Sequence, residues 1–443
     1  MLAIAKDLNY SYLKIIKLAL VLGFLFFFIP LEIAGFLVIV FFSFFAPLGS
    51  LYFAIFLLPF LPNPFFMTLT VVVVGCILSK NYFTEEMSFA QIPLTPPLFI
   101  YSILVLVATL TSVTFEGSLR DFAIYTLSFM LFFALVSQVK NKQELYNLVI
   151  IFTVGLFLVS CHSIYQYIID VPMESGWVDS SNSPELTTRV YSVFGNPNVL
   201  AKYLLSLFPI SFALAMHAKD KLKKVFLFGT SACAVLAMIF TFSRSGWIGL
   251  LASLSFFTIL KDKKLFTILL IVILVGTFIV PDIVSSRITS VEDTSSNYRL
   301  MVWQETTNII SDFWLTGVGL GYEAFREIYP FYMIDNNKSP YHAHNTYLQI
   351  LVETGIIGLL VFIWLIIVTF KRGIKLIFTS KKDSFVQYIV LGSLSSIVGL
   401  LTQGLVENIF YMPKITALFY ILVSFIFVAY RLNCRRVETY GQM

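Results

Sequence analysis

Residues 345–370 read NTYLQILVETGIIGLLVFIWLIIVTF, and a basic run, KRGIKLIFTSKK (371–382), separates them from FVQYIVLGSLSSIVGLLTQG (385–404). Each apolar stretch has the length of about 20 residues at which a helix crosses the hydrocarbon core. Lys and Arg in a short connection favour the cytoplasmic side. The three strings together therefore read as a helical hairpin in lipid with its turn in the cytoplasm.

The same pattern recurs in both directions. Further apolar spans are predicted near 14–29, 31–46, 48–61, 65–79, 96–114, 119–138, 145–169, 199–217, 225–242, 245–260, 265–281 and 414–431. Those near 31–46 and 48–61 are short and interrupted by Pro30, Pro47 and Pro59. About 12 crossings are therefore expected, within a range of about 10–14. Composition agrees, with 58% hydrophobic and 12% charged residues against about 25% charged in a soluble domain. Such a chain cannot cover a water-facing surface. The expected fold is an all-α polytopic membrane protein, one transmembrane domain over residues 1–443, without a repeat of fixed period. Lys6, Lys14 and Lys17 precede the first span with no small-residue cleavage site after it, which reads as a retained span.

The connections Lys140–Lys142, Lys219–Lys224, Lys261–Lys264, Lys371–Lys382 and Arg431–Arg436 are short and basic. Placing all of them in the cytoplasm alternates consistently along the chain and puts both termini inside. Two segments are then left on the extracytoplasmic face, 170–198 and 282–344. Loops of such length are usually functional. The net charge of +5 resides mainly in the basic connections, a footprint of membrane orientation and not of nucleic-acid binding. Cys76, Cys161, Cys233 and Cys434 form no CxxC and no evident disulfide pair.

Polar chemistry concentrates at the outer loops. Arg244, in TFSRSGW, sits where one apolar run gives way to the next, and a guanidinium near the membrane core usually marks a site. Arg189 lies in TTRVYSVFGNPNVLAKYL, where Asn198 is a candidate N-cap, and Arg299 begins YRLMVWQE. Two or three such forks can hold a pyrophosphate without a metal ion. His342 and His344 stand where the second loop re-enters the membrane, and either can accept a proton near neutral pH. Asn345 and Gln349 follow on the emerging helix, and Glu353 lies on a similar face to Gln349. The H-x-H spacing has no further outer His or Cys to complete a zinc site. Gly317, Gly319 and Gly321 lack the βαβ frame of a nucleotide-binding loop and read as a turn. Glu407 and Asn408 read as structural. Leu300, Trp303, Thr307, Ile310 and Trp314 form a helical stripe, which either lies on the membrane surface or packs on the span tops.

The strings RVYSVFGNPNVLAKYL, TFSRSGWIGL and HAHNTYLQILVETGIIGLLVF, with WQETTNIISDFWLTGVGLGYEAF between the last two, resemble the O-antigen ligase and Wzy-type polymerase superfamily of bacterial membrane glycosyltransferases. The likeness spans roughly residues 185–365 in the family's order. It implies a GT-C-like helical fold in the bacterial plasma membrane and an undecaprenyl-pyrophosphate-linked glycan donor. It also implies a metal-independent, inverting transfer without cofactor to a glycan, lipid or protein hydroxyl. By the same resemblance Arg189 and Arg244 bind pyrophosphate, Arg299 matches the family's loop arginine, and His344 is the catalytic histidine; His342 is extra to the pattern. Ligase and polymerase both remain open. A transporter or flippase of an anionic or lipid-linked substrate is the alternative from another class, and it would favour an inverted repeat.

Overall fold

A computed structural model describes residues 39–83, 92–172, 188–279, 294–334 and 339–440. The span predicted near 14–29, most of that near 31–46, and much of both predicted outer loops lie outside the described residues.

Fourteen α-helices are described: α1 (Pro47–Leu57), α2 (Asn63–Phe83), α3 (Thr95–Leu110), α4 (Phe115–Gln138), α5 (Lys142–Ile168), α6 (Pro197–His217), α7 (Lys221–Phe240), α8 (Arg244–Lys261), α9 (Lys263–Ile279), α10 (Thr294–Phe313), α11 (Gly321–Ile328), α12 (Thr346–Thr379), α13 (Phe385–Gln403) and α14 (Pro413–Tyr440). No strand occurs among the described residues. The chain is an all-α polytopic membrane protein. Polar residues set where the helices begin: Thr114, Asn141, Asp220, Ser243 and Ser384 each accept an N-terminal backbone N–H of the helix that follows, as good N-caps do.

Eight of these helices, α2, α4 to α7 and α12 to α14, are long and apolar enough to cross a membrane. α1 and α3, with 11 and 16 residues, are shorter apolar helices. Every span predicted within the described residues beyond 46 coincides with one helix.

The basic connections gather at one end of the bundle. Lys261 pairs with Asp383 at 2.5 Å, Lys223 lies over the Tyr146 ring, and Arg431 donates to Val136 O and Val139 O. Near the middle, α8 and α13 approach so closely that a Cβ on Gly249 would stand 2.8 Å from Gly399 O. Small residues permit such backbone contact in lipid.

The end away from the basic connections carries the extramembrane helices. Val302, Ile309, Val318, Phe325, Tyr329, Ala343 and Val352 form a small second core there. The stripe on α10 divides between the two readings, with Trp303 and Ile310 half-buried and Ile310 packed against the second core. Leu300 and Trp314 are 59% and 55% exposed, while the neighbouring face with Val302, Glu305, Thr306 and Ile309 is buried. The glycine run is indeed a turn: Gly317, Gly319 and Gly321 all have positive φ, and each meets another part of the chain within 2.5 Å of where a Cβ would be.

One feature of α12 departs from the sequence reading of a continuous span. At Gly355 the backbone has φ 67° and ψ −175°, which divides α12 into a short segment (346–354) and a long one. The backbone groups released by the break are satisfied by the preceding loop. Val318 N donates to Val352 O and Ile356 N donates to Trp314 O, both at 2.8 Å. Non-helical backbone at membrane depth is tolerated only with such partners.

Candidate active site

Three helix starts converge at the α10 end of the bundle. α6 is capped by Asn196, whose Oδ1 accepts from Asn198 N and Val199 N. The predicted cap, Asn198, is therefore inside the first turn, because Pro197 fills the first helical position. This frees the Asn198 amide for tertiary contacts. α8 starts from the Ser243 cap, which makes Arg244 its first residue. α12 starts from Asn345, whose Oδ1 accepts from Tyr347 N and Leu348 N. Helix N-termini carry partial positive charge and favour anions.

The hub is Glu407, only 4% exposed, which the sequence reading set aside as structural. Its Oε1 accepts from Arg299 Nη2 at 2.9 Å and from Asn198 Nδ2 at 3.1 Å, and its Oε2 lies 3.6 Å from Lys202 Nζ. Asn198 Oδ1 accepts from Ser243 Oγ at 2.9 Å and from Arg189 Nη2 at 3.4 Å. Arg189 also donates through Nε to Thr241 O. Arg244 Nη2 donates to Ser296 Oγ at 3.4 Å, one helical turn before Arg299 on α10. The structure thus brings Arg189 and Arg299 into one network with Asn198 and Glu407, and ties Arg244 to the helix that carries Arg299. It adds Lys202, 2% exposed, which donates to Asn408 O at 2.7 Å.

The histidine turn borders this network. His344 adopts φ 48°, a left-handed conformation uncommon outside glycine, and such strain concentrates at functional positions. Its Nδ1 is buried without a hydrogen-bond partner and lies 4.0 Å from Glu407 Oε1. Catalytic hydrogen bonds are often long before substrate binds. His344 N donates to His342 Nδ1 at 3.1 Å, so the neutral His342 carries its proton on Nε2. Ala343 N donates to Gln349 Oε1, and Gln349 Nε2 donates to Glu353 Oε1, both at 2.7 Å. Glu353 therefore orients Gln349, and Gln349 fixes the turn. Asn345 Nδ2 and Thr346 Oγ1 donate to Leu405 O and Glu407 O, which locks the turn to the Glu407 loop.

Charge state follows from these neighbours. Burial alone would raise the Glu407 carboxyl, but Lys202 and Arg299 outweigh it and hold the group at about 2. Burial, reinforced by Arg299 and Lys202, pushes His344 below its ordinary value, with Glu407 opposing. Burial and then His344 push His342 well below the usual histidine range. Both rings are neutral at pH 7, and neutral imidazole is the form that can take a proton.

A family model described as O-antigen ligase matches residues 229–363. Over that stretch the chain is similar to the O-antigen ligase family. The matched stretch runs from α7 into α12 and contains Arg244, Arg299, His342, His344, Gln349 and Glu353. Arg189, Asn198, Lys202 and Glu407 lie outside the O-antigen ligase match but complete its polar network. No curated protein matches the chain. The match and the apolar helices support an O-antigen ligase or polymerase-like membrane transferase of polysaccharide biosynthesis.

The geometry also revises the metal-ligand count made from the sequence. Ligand atoms of His342, His344 and Glu407 all lie within 4.8 Å of one another, so a carboxylate supplies the third member that a search for His and Cys omitted. Arg299 and Lys202 already hold that carboxylate, and a divalent cation would face both of them. The donor set fits an anion better than a metal.

Lys202 carried a legible signal: a lysine in an apolar span is costly and marks a site, the argument applied to Arg244. Glu407 carried less, since only folding shows that Arg299 and Lys202 meet it.

Proposed function

We propose that this protein transfers or polymerises undecaprenyl-pyrophosphate-linked oligosaccharide on the extracytoplasmic side of a bacterial plasma membrane. The observation that carries this reading is the convergence of Arg299 and Lys202 on Glu407 beside His344, with Arg189 bonded to Asn198, itself a partner of Glu407, and Arg244 bonded to Ser296 on the helix that bears Arg299. The cationic end of the bundle also lies away from the basic connections, which favours an extracytoplasmic site with both termini inside.

In the mechanism, the arginines hold the pyrophosphate while the polyprenyl tail remains in lipid. An acceptor hydroxyl oxygen attacks the anomeric carbon of the donor sugar, and the bond from that carbon to the phosphate oxygen breaks. The hydroxyl proton passes to His344 Nε2, because Nδ1 faces Glu407. The bonding electrons leave with the pyrophosphate, whose growing charge meets preorganised guanidinium groups. A single displacement inverts the anomeric centre. Since guanidinium and ammonium groups supply the positive charge, the reaction proceeds without a metal. The acceptor is a glycan, lipid or protein hydroxyl.

The test uses the purified protein, its His344→Ala variant, a defined undecaprenyl-pyrophosphate oligosaccharide and a chelator, with products read by mass spectrometry. Longer chains from the wild type alone support polymerase action. Consumption only after a separate lipid or protein acceptor is added supports ligase action. The expected loss in His344→Ala is about 10²–10⁴-fold, the range for removing a general base. An untouched donor in both samples, together with movement of that donor across vesicles, overturns the reading in favour of transport.

A further inference from the structure

Tyr411, which contacts His342, also lines a second polar site. A cavity of about 10 Å³ is lined by Asp121 of α4, Tyr322 of α11, Gln349 and Glu353 of α12, and Asn408 and Tyr411. That is space for roughly one water-sized group. Asp121 is 6% exposed, and its Oδ2 has no hydrogen-bond partner. A carboxylate accepts and does not donate, so this atom calls for a donor entering the cavity. An anion is the wrong occupant, because the Asp121 carboxylate would repel it.

The rim is aromatic. The Tyr411 ring lies 4.8 Å from His342 and 6.3 Å from Tyr322, and Tyr341 follows 6.2 Å beyond Tyr322. Arg120 covers one face of Tyr322 at 5.2 Å, and Arg326 covers Tyr341 at 4.6 Å. Each guanidinium fixes a ring plane, and Tyr322 and Tyr341 remain partly or largely exposed. His342 in turn contacts His344 at 4.2 Å between ring centroids. The contacts thus run from the base, through His342, to an aromatic shelf above a buried acceptor atom.

A pyranose ring has both complements: a C–H face that stacks on aromatic rings and exocyclic hydroxyls that donate. We propose that this cavity and its tyrosine rim form the subsite for the acceptor sugar, with Tyr322 stacking on the ring face and Asp121 accepting from one hydroxyl. The assignment rests on the glycan-transfer reading above. It makes the acceptor a glycan in preference to a protein side chain, and separates its subsite from the arginine network that holds the donor's diphosphate.

The test has two arms on the full-length protein in detergent. Saturation-transfer NMR is run with methyl glycosides of glucose, galactose, N-acetylglucosamine and rhamnose as probes. At least one is expected to be saturated by the wild type and by Tyr322→Phe, with the signal falling at least fivefold in Tyr322→Ala and Asp121→Asn. In the transfer assay the acceptor KM is expected to rise at least tenfold in the same two variants while the donor KM holds. Tyr322 is a partly exposed residue, so its variants report even if Asp121→Asn misfolds. Saturation of no probe, or equal saturation in wild type and Tyr322→Ala, overturns the subsite. Probe binding without donor turnover sinks the transfer reading and leaves the subsite standing. Turnover with unchanged acceptor KM in both variants sinks the subsite alone.

Discussion

Two buried polar clusters flank the His342–His344 turn, and they differ in sign and in how they are satisfied. Around Glu407, Arg299, Lys202 and Asn198 converge on one carboxylate, Arg189 joins through Asn198, and Arg244 bonds Ser296 on the helix that bears Arg299. Around Asp121 and Glu353, two carboxylates border a cavity and one oxygen is left without a partner. Fixed guanidinium and ammonium groups suit a ligand whose negative charge grows during reaction. An excess of acceptor oxygens suits a ligand that brings hydroxyl donors. A single histidine turn between them can therefore face a leaving diphosphate on one side and an incoming sugar on the other, without either ligand competing for the other's place.

The comparison is broken most directly at its cationic half. Arg244→Ala is expected to lower transfer by about 10²–10³-fold, the range for removing one preorganised charge-stabilising donor, with membrane insertion intact. Normal turnover in that variant, measured by donor consumption, would remove the diphosphate assignment. Glu407→Gln is expected to cost less, about 10-fold to 10²-fold, because it disturbs the orientation of Arg299 and His344 and removes no donor from the diphosphate.

Glu407→Gln also has a pH signature. His344 acts as the neutral ring, and burial with Arg299 and Lys202 holds it below its ordinary value. Activity should therefore persist as pH falls through 6.5, with the acid limb below that point. Glu407 is the neighbour that favours the imidazolium. Removing its charge should move the acid limb to still lower pH, whereas Arg299→Gln should move it up. A rate profile over pH 4.5–8 for the three proteins reads both directions, and an unshifted limb in both variants would detach Glu407 from His344.

The smallest effect concerns the hinge between the clusters. Gly355 occupies a region open essentially to glycine alone, and a Cβ there would stand 2.0 Å from Leu315 O. Gly355→Ala is expected to cost about 1–3 kcal/mol of stability, read as a lowered midpoint of thermal unfolding. An unchanged midpoint would mean that the break relaxes readily.

The membrane helices were legible because lipid imposes a length and a composition on each one, and polar caps mark where they start. The arginines stood out as candidates for a related reason, since charge next to an apolar run is costly, whereas His344 was set apart from His342 only by the family resemblance. Asp121 and Glu407 were not legible, since an isolated carboxylate near a helix end looks like any solvated or capping group. Their roles depend on what α11, α12 and the loop after α13 bring against them, and that is tertiary information. The same holds for Gly355, since a single glycine inside a long, largely apolar run does not by itself mark a break.

The break in α12 also decides which parts of the molecule can be exchanged. Because Trp314 and Val318 complete the backbone of 352–356, the large loop and the re-entering helix are two halves of one mortise joint and not a module set on a scaffold. A chimera that takes its loop from a relative to acquire a new glycan should carry residues 314–318 and 352–356 together, or it will graft the specificity and lose the hinge.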